Sequence, residues 1–306
     1  MIGMTGVVPD PAALNRMRAD APVPAARHAG RVDSFTRSGL TFDVRDAGPA
    51  DGEPVVLLHG FPQHAGSWDR VAPGLHGAGL RTLAPDQRGY SPAARPPGRR
   101  AYVVRDLVDD VRALLDTAGL ERAHVVGHDW GAMVAWALAA WHPDRVSSLT
   151  AVSVPHPAAF TRSFLTSTQG LKSAYMAFFQ LPGVPEKVLT RGNGAFLRDT
   201  LVRSGLPRGD AEETVARLRP AGALTAALNW YRALPLGASD PVGRVRVRTL
   251  HVWSDRDGFL GRAGTEATAQ YVTGPYRLEV LPGVTHWVPE TAGDRLAELV
   301  TAHVRG

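Results

Sequence analysis

Residues Val125-Val126-Gly127-His128-Asp129-Trp130-Gly131-Ala132 join a β-branched run to an Ala-rich segment, 133–141, with helical character. The Gly-x-Asp-x-Gly pattern predicts a strand, a sharp turn and a helix, with one reactive side chain at the tip of the turn. Such a turn needs small residues two positions before and after its tip, where Gly127 and Gly131 stand. We therefore expect Asp129 to be presented at the end of a buried strand.

The side chain at the tip is a carboxylate, whereas the familiar form of this turn carries serine. A carboxylate attacks an electrophilic carbon and becomes an ester, which water must then hydrolyse. Asp129 therefore argues against an ordinary esterase. It points to enzymes that open epoxides or displace halides.

Strand-like and helix-like segments alternate on both sides of this turn. Residues 32–47 alternate in polarity around Ser38-Gly39, which predicts a hairpin. The alternation elsewhere predicts an α/β fold, with a mostly parallel central sheet flanked by helices. The predicted strands are 54–58, 80–84, 146–154, 245–253 and 276–281, and the predicted helices are 102–118 and one from about 290.

The alternation stops at Pro155-His156-Pro157, and the chain then shows helical patterns as far as about 241. A helical block inserted after a strand predicts a lid over the strand ends and hence over the active site. The predicted parts are an N-terminal arm at 1–30, the first part of an α/β core at 31–155, a helical lid (cap) at 156–241 and the second part of the core at 242–306.

The composition excludes several classes of function. The 306 residues contain no cysteine, which rules out disulfides, thiol nucleophiles and thiolate metal sites. The net charge of +5 comes from scattered arginines, so we expect no nucleic acid partner. Residues 1–30 lack a signal-peptide core, and the longest near-apolar run, 132–141, is half a membrane span. We expect a cytoplasmic monomer or homodimer with no membrane partner.

The usual chain order of nucleophile, acid and base indicates partners for Asp129. His286 lies in the loop after the last predicted strand and is the predicted base. Asp257 lies in the loop after the first strand beyond the lid and is the predicted acid. Asp255 is the alternative acid, because it lies nearer the strand end, but it could instead brace the turn.

Two backbone N–H groups are predicted to form an oxyanion hole, those of Phe61 and Trp130. Phe61 follows a predicted strand within His59-Gly60-Phe61-Pro62, and Trp130 follows Asp129. The oxygen that they would stabilise belongs to the ester of Asp129, because water attacks that carbonyl.

Three motifs together resemble the epoxide hydrolase branch of the α/β-hydrolase superfamily. They are His59-Gly60-Phe61-Pro62-Gln63, Gly127-His128-Asp129-Trp130-Gly131 and residues 283–286. The resemblance covers roughly residues 32–304. It implies an α/β-hydrolase fold with an inserted cap, and hydrolysis of a small-molecule epoxide by water to a vicinal diol without a metal or organic cofactor.

Two lid segments are similar to those that carry the catalytic tyrosines of that family. Residues 228–232 place this role on Tyr231, and residues 175–184 place it on Tyr175. A phenol is protonated at neutral pH, so it donates a hydrogen bond to the epoxide oxygen as that oxygen becomes an alkoxide. The residues expected to contact the substrate are Trp130, Phe61, Pro62 and Met176.

Two other functions remain open. A haloalkane or haloacetate dehalogenase shares the Asp–His–Asp chemistry, and the indole N–H of Trp130 is compatible with a halide. The two lid tyrosines argue against it, and no cation beside Asp129 would bind the carboxylate of a haloacetate. The second alternative is a non-catalytic ligand-binding member of the fold, although binding alone does not require the five predicted catalytic residues together.

Overall fold

An eight-stranded β-sheet lies at the centre of the computed structural model, which describes residues 30–237 and 240–306. The strands are β1 (Ser34–Arg37), β2 (Leu40–Ala47), β3 (Glu53–Leu58), β4 (Leu80–Pro85), β5 (Ala123–His128), β6 (Val146–Val152), β7 (Thr249–Ser254) and β8 (Tyr276–Leu281). Their order in the sheet is β1-β2-β4-β3-β5-β6-β7-β8. The predicted N-terminal arm lies outside the described residues, apart from Gly30.

The predicted hairpin forms one edge of the sheet. β1 pairs with β2, and β2 with β4, in antiparallel register, whereas every other pair of neighbouring strands is parallel. The hairpin turns at Ser38 and Gly39, whose φ angles of 52° and 76° are both positive. A two-residue turn of this kind follows the natural twist of the strands that it joins.

The inner strands are buried on both faces, which explains their continuous apolar sequences. In β5, Val125 and Val126 belong to two different buried clusters, because successive side chains point to opposite faces. The register pairs Leu58 with Gly127 and His128 with Val152. The carboxyl ends of β3, β5 and β6 are therefore level, and the loops that leave them meet at one edge of the sheet.

Helices cover the sheet and form a large insertion between β6 and β7. They are α1 (Ala72–Gly77), α2 (Val104–Thr117), α3 (Trp130–Trp141), α4 (Pro157–Thr166), α5 (Gln169–Lys172), α6 (Ala174–Phe179), α7 (Val184–Leu189), α8 (Ala195–Arg203), α9 (Arg208–Leu218), α10 (Ala223–Ala233), α11 (Arg262–Ala267), α12 (Val288–Thr291) and α13 (Gly293–Arg305). Short 3₁₀ helices lie at Ala65–Trp68, Arg99–Tyr102, Pro143–Arg145, Leu234–Leu236 and Thr268–Tyr271.

The insertion, hereafter the lid, runs from α4 to the 3₁₀ helix at Leu234–Leu236. Its last long helix is tied to the core, because the indole N–H of Trp230 donates a 2.8 Å hydrogen bond to the Arg88 carbonyl. Arg70 of the core pairs with Asp210 of the lid at 2.8 Å. This architecture confirms the predicted fold class, a mostly parallel sheet flanked by helices with a helical cap.

Three predicted boundaries are shifted. β6 ends at Val152 rather than at 154. β7 begins at Thr249 rather than at 245, because Val245 makes only an isolated bridge to Val272. The helix predicted from 102 begins at Val104, after the 3₁₀ turn at Arg99–Tyr102. None of the helices in the described ranges is long and apolar enough to cross a membrane.

Candidate active site

Asp129 stands at the turn between β5 and α3, as its motif predicts. Its φ of 52° lies in the left-handed region, which residues other than glycine rarely adopt. A Cβ on Gly131 would collide with the Leu58 carbonyl, and one on Gly127 with the backbone of Gly131. The two glycines therefore allow the turn to close, and the turn presents Asp129 at the carboxyl edge of the sheet.

The loop after β3 approaches the same carboxylate. The Phe61 N–H donates a 2.8 Å hydrogen bond to Asp129 Oδ1. A Cβ on Gly60 would collide with the Asp129 side chain, so glycine permits this approach. The Trp130 N–H, the second predicted donor, makes no hydrogen bond to the carboxylate within the described residues.

His286 lies between two carboxylates. Its Nδ1 is 2.8 Å from Asp257 Oδ2, and its Nε2 is 3.6 Å from Asp129 Oδ2. Asp257 is held by its own loop, because the N–H groups of Phe259 and Leu260 donate to Oδ1 at 2.7 and 2.9 Å. The fold thus brings together three predicted residues from the loops after β5, β7 and β8.

Asp255, the alternative acid, points elsewhere. Its Oδ1 accepts a 2.7 Å hydrogen bond from the Gly283 N–H at the surface. Asp255 therefore braces the loop that leads to His286, and the carboxylate in contact with the imidazole is that of Asp257.

The charges of these side chains stabilise one another. Burial raises the pKa of Asp129, but hydrogen bonding to His286 and its charge outweigh burial and hold the pKa below its ordinary value. The His286 charge likewise outweighs burial at Asp257 and lowers that pKa. Burial lowers the pKa of His286, whereas the charges and hydrogen bonds of both carboxylates raise it to about 10. At neutral pH the site therefore holds one imidazolium between two carboxylates.

The two predicted tyrosines lie together in the lid and line the same cavity as Asp129. Tyr175 is on α6 and Tyr231 on α10, with their ring centroids 5.9 Å apart. The Trp130 ring packs edge-on against Tyr231 with a centroid distance of 5.1 Å. Burial, reinforced by the negative charge of Asp129, raises the pKa of both phenols. Both hydroxyls are therefore protonated and act as hydrogen-bond donors.

A cavity of about 280 Å³ separates the sheet edge from the lid. Asp129 is the only charged residue among the described residues that line it, and the rest of the wall is mainly aliphatic and aromatic. The lining residues are Asp129, Trp130, Met133, Val154, Pro157, Phe160, Thr161, Ser173, Tyr175, Met176, Tyr231, Leu234, Phe259 and Leu260.

The four predicted substrate contacts divide into two pairs. Trp130 and Met176 line the cavity, whereas Phe61 and Pro62 do not. The Phe61 ring instead packs edge-on against Tyr231, with centroids 5.1 Å apart, and Pro62 is buried. Phe61 therefore reaches Asp129 through its backbone, while its side chain supports a tyrosine.

The chain is similar in sequence and in fold to known proteins. The sequence matches the α/β-hydrolase fold family over residues 53–292. This chain belongs to the α/β-hydrolase family. It is 38% identical over 257 residues to the AB hydrolase superfamily protein YfhM of Bacillus subtilis, an alignment that covers 82% of this chain and 90% of the relative.

Other relatives lie in the epoxide hydrolase branch of the α/β-hydrolases. The chain is 33% identical over 306 residues to epoxide hydrolase A of Mycobacterium tuberculosis, with 86% of this chain and 94% of the relative covered. The crystal structure of epoxide hydrolase A from Mycobacterium thermoresistibile superposes with a TM-score of 0.77 at 28% identity, covering 89% of this chain and 97% of that one. The chain is therefore an epoxide hydrolase-like α/β-hydrolase.

A second histidine supports this α/β-hydrolase site and was not among its predicted residues. His128 Nε2 donates a 2.9 Å hydrogen bond to the His286 carbonyl, to which the Ser153 hydroxyl also donates at 3.3 Å. Burial, together with the charge of His286, lowers the pKa of His128 to about 3. His128 is therefore neutral and acts as a hydrogen-bond donor that holds the His286 loop.

Glu290 is a buried carboxyl close to the hydrolase site that the sequence did not reveal. It lies on α12, and neither of its side-chain oxygens has a hydrogen-bond partner among the described residues. The Arg70 guanidinium contacts the Glu290 backbone carbonyl, but it pairs with the side chain of Asp210. Burial, together with the charge of Asp210, raises the pKa of Glu290 to about 8.

We expect Gly131→Ala to lower the free energy of unfolding by about 2 kcal/mol or more, because its methyl group collides with rigid backbone. Gly209→Ala is the matched control, since nothing lies within 4 Å of its Cβ position in α9. The control should be neutral or stabilised by a few tenths of a kcal/mol. Urea unfolding of both variants measures this difference. Equal stability would show that the turn tolerates a Cβ.

We expect Glu290→Gln to stabilise the protein increasingly as the pH rises from about 5 to 8. The folded wild type keeps a proton on Glu290 that the unfolded chain loses near its ordinary pKa, so wild-type stability falls through this range. The gain should reach a few kcal/mol, on the order expected for such a pKa difference. Urea unfolding at several pH values measures it, with the exposed Glu298→Gln as the control. A gain independent of pH would contradict the buried, protonated carboxyl.

Proposed function

We propose that this protein hydrolyses uncharged epoxides to vicinal diols through an ester on Asp129. The observation that carries the proposal is that one apolar cavity is bordered by the Asp129 carboxylate and by two protonated phenols, Tyr175 and Tyr231. An epoxide needs a nucleophile at carbon and hydrogen-bond donors at oxygen, and this cavity offers both.

Ring opening is the first step. Asp129 Oδ attacks a ring carbon, the carbon–oxygen bond breaks, and the ring oxygen develops negative charge. Tyr175 and Tyr231 donate hydrogen bonds to that oxygen, and one of them delivers a proton. The product is a neutral hydroxyalkyl ester of Asp129. The proton that the phenol has lost is replaced from solvent.

Ester formation also prepares His286 for the second step. In the free enzyme the negative charge of Asp129 helps to raise the pKa of His286 to about 10, so the imidazole carries a proton. The ester is neutral and no longer supports that charge. The pKa of His286 therefore falls when Asp129 is alkylated, and the proton that leaves His286 balances the one taken up at the opened ring.

Hydrolysis of the ester completes the cycle. Neutral His286, oriented by Asp257 at Nδ1, takes a proton from water as the water oxygen attacks the ester carbonyl. The Phe61 N–H already contacts Asp129 Oδ1 and stabilises the oxyanion, and we assign the second donor to the Trp130 N–H. The tetrahedral intermediate collapses with the proton passing from His286 to the departing alkoxide. Asp129 is released as a carboxylic acid, its proton passes to neutral His286 and restores the ion pair, and the diol leaves.

The cavity bears on the dehalogenase alternative. A haloacetate carries a carboxylate that needs a cation, and no lysine, arginine or histidine is among the described residues that line the cavity. A halide also needs no proton on leaving, whereas two protonated phenols face this cavity.

The experiment that tests the proposed function is to measure diol formation from a panel of uncharged aryl and aliphatic epoxides. Chlorinated analogues, assayed for halide release, test the dehalogenase alternative.

We expect Asp129→Asn to abolish turnover, by at least about a thousandfold, because an amide is a poor nucleophile. His286→Gln should still open the ring but hydrolyse the ester slowly. Intact-protein mass spectrometry should then show an added mass equal to that of the epoxide, absent from the Asp129→Asn/His286→Gln double variant. Normal turnover by His286→Gln would refute the role of His286 as the base.

We expect Asp129→Asn, which imitates the neutral ester, to lower the pKa of His286 from about 10 towards its ordinary value. NMR titration of the imidazole measures this pKa directly. Asp255→Asn is the matched control, because it removes a neighbouring carboxylate that does not contact His286. An unchanged pKa in Asp129→Asn would rule out the charge switch.

A further inference from the structure

The lid makes a second connection to the core, at the loop that follows β7. Gln169 of α5 is only 2% exposed, and its side-chain amide spans this loop. Its Nε2 donates a 2.7 Å hydrogen bond to the Phe259 carbonyl, and its Oε1 accepts one of 2.8 Å from the Gly261 N–H. The amide thereby pairs with the loop much as a neighbouring strand would.

The segment to which Gln169 is hydrogen-bonded, residues 259–261, also holds the Asp257 side chain. The N–H groups of Phe259 and Leu260, within this segment, both donate to Asp257 Oδ1. Lys172, one turn further along α5, donates a 2.9 Å hydrogen bond from Nζ to the Asp257 carbonyl. Asp257 is thus held by its loop, and the loop is held by one short helix of the lid.

We propose that Gln169 is a positioning residue for ester hydrolysis, so that the lid orients His286 through Asp257. This inference rests on the proposed function. Removing the Gln169 amide, which makes two hydrogen bonds to the loop and one to the Ser173 hydroxyl, frees the loop. A displacement of about 1 Å at a reacting group can cost roughly a hundredfold in rate. Only the hydrolytic step uses His286 as a base, so only that step should suffer.

A second contact of the lid, which is partly buried, provides a matched control. Gln180 donates a 2.7 Å hydrogen bond from Nε2 to the Tyr231 carbonyl, at the part of the lid that carries the phenols. Gln169 and Gln180 are the same residue type in the same insertion, yet one touches the acid loop and the other a tyrosine backbone. Substitution of each by methionine keeps a similar side-chain volume and removes the hydrogen bonds.

The experiment measures both half-reactions of wild type, Gln169→Met and Gln180→Met in single-turnover quench, with the ester followed by intact mass. Gln169→Met should slow ester hydrolysis roughly tenfold to a hundredfold and change ring opening less than about threefold. The ester should therefore accumulate during the single turnover before it is hydrolysed. Gln180→Met should slow ring opening more than hydrolysis. The proposal is overturned if Gln169→Met slows both steps equally or leaves hydrolysis unchanged.

Two further measurements test the proposal if a variant does not fold or if the protein does not hydrolyse epoxides. If Gln169→Met does not fold, Lys172→Met tests the same link, and it should slow hydrolysis in the same direction. If wild type forms no diol from any epoxide, the proposed function fails, and NMR titration of His286 still tests the positioning role. A lower His286 pKa in Gln169→Met than in Gln180→Met supports the link, and equal values contradict it.

Discussion

The ion trio formed by one imidazolium and two buried carboxylates is the interaction on which this site depends. None of the three groups would be stable alone in its position, because burial penalises the charged form of each. Together they stay ionised, and each holds the next in place. The strained turn at Asp129 and the close-packed glycines around it follow from the need to bring one carboxylate within 3.6 Å of His286.

In the mechanism proposed above, this arrangement also explains how one site can run two different steps. Asp129 must be ionised to attack carbon, and His286 must be neutral to activate water. Alkylation neutralises Asp129. His286 then loses the negative charge that helped to keep it protonated, and it becomes neutral. The phenols of the lid are protonated for the related reason that burial and the Asp129 charge both oppose their ionisation. The lid supplies these donors at one contact and braces the acid loop at another.

The sequence was most informative where a local backbone constraint limits the residue type. The glycines around Asp129, the order of the strand-end residues and the Ala-rich helix predicted the fold class and the residues that meet at the sheet edge. The choice between Asp257 and Asp255 needed the structure, because both stand in one loop and only three-dimensional packing decides which reaches His286. Glu290 and the contacts of Gln169 carry no sequence motif, and the motif that contains His128 does not reveal that its side chain bonds to the His286 loop. Phe160 and Phe259 both line the cavity. The sequence does not reveal this, because it depends on how the lid packs on the core.

The most direct test of the ester on Asp129 is a single turnover of an epoxide in water enriched in oxygen-18. Water attacks the ester carbonyl, so its oxygen should enter the Asp129 carboxylate, and the diol should carry the unlabelled oxygen that Asp129 supplied. Mass spectrometry of the peptide that contains Asp129, and of the diol, shows which of the two carries the label. Label in the diol and none in Asp129 would mean that water attacks the epoxide directly, and it would contradict the covalent mechanism.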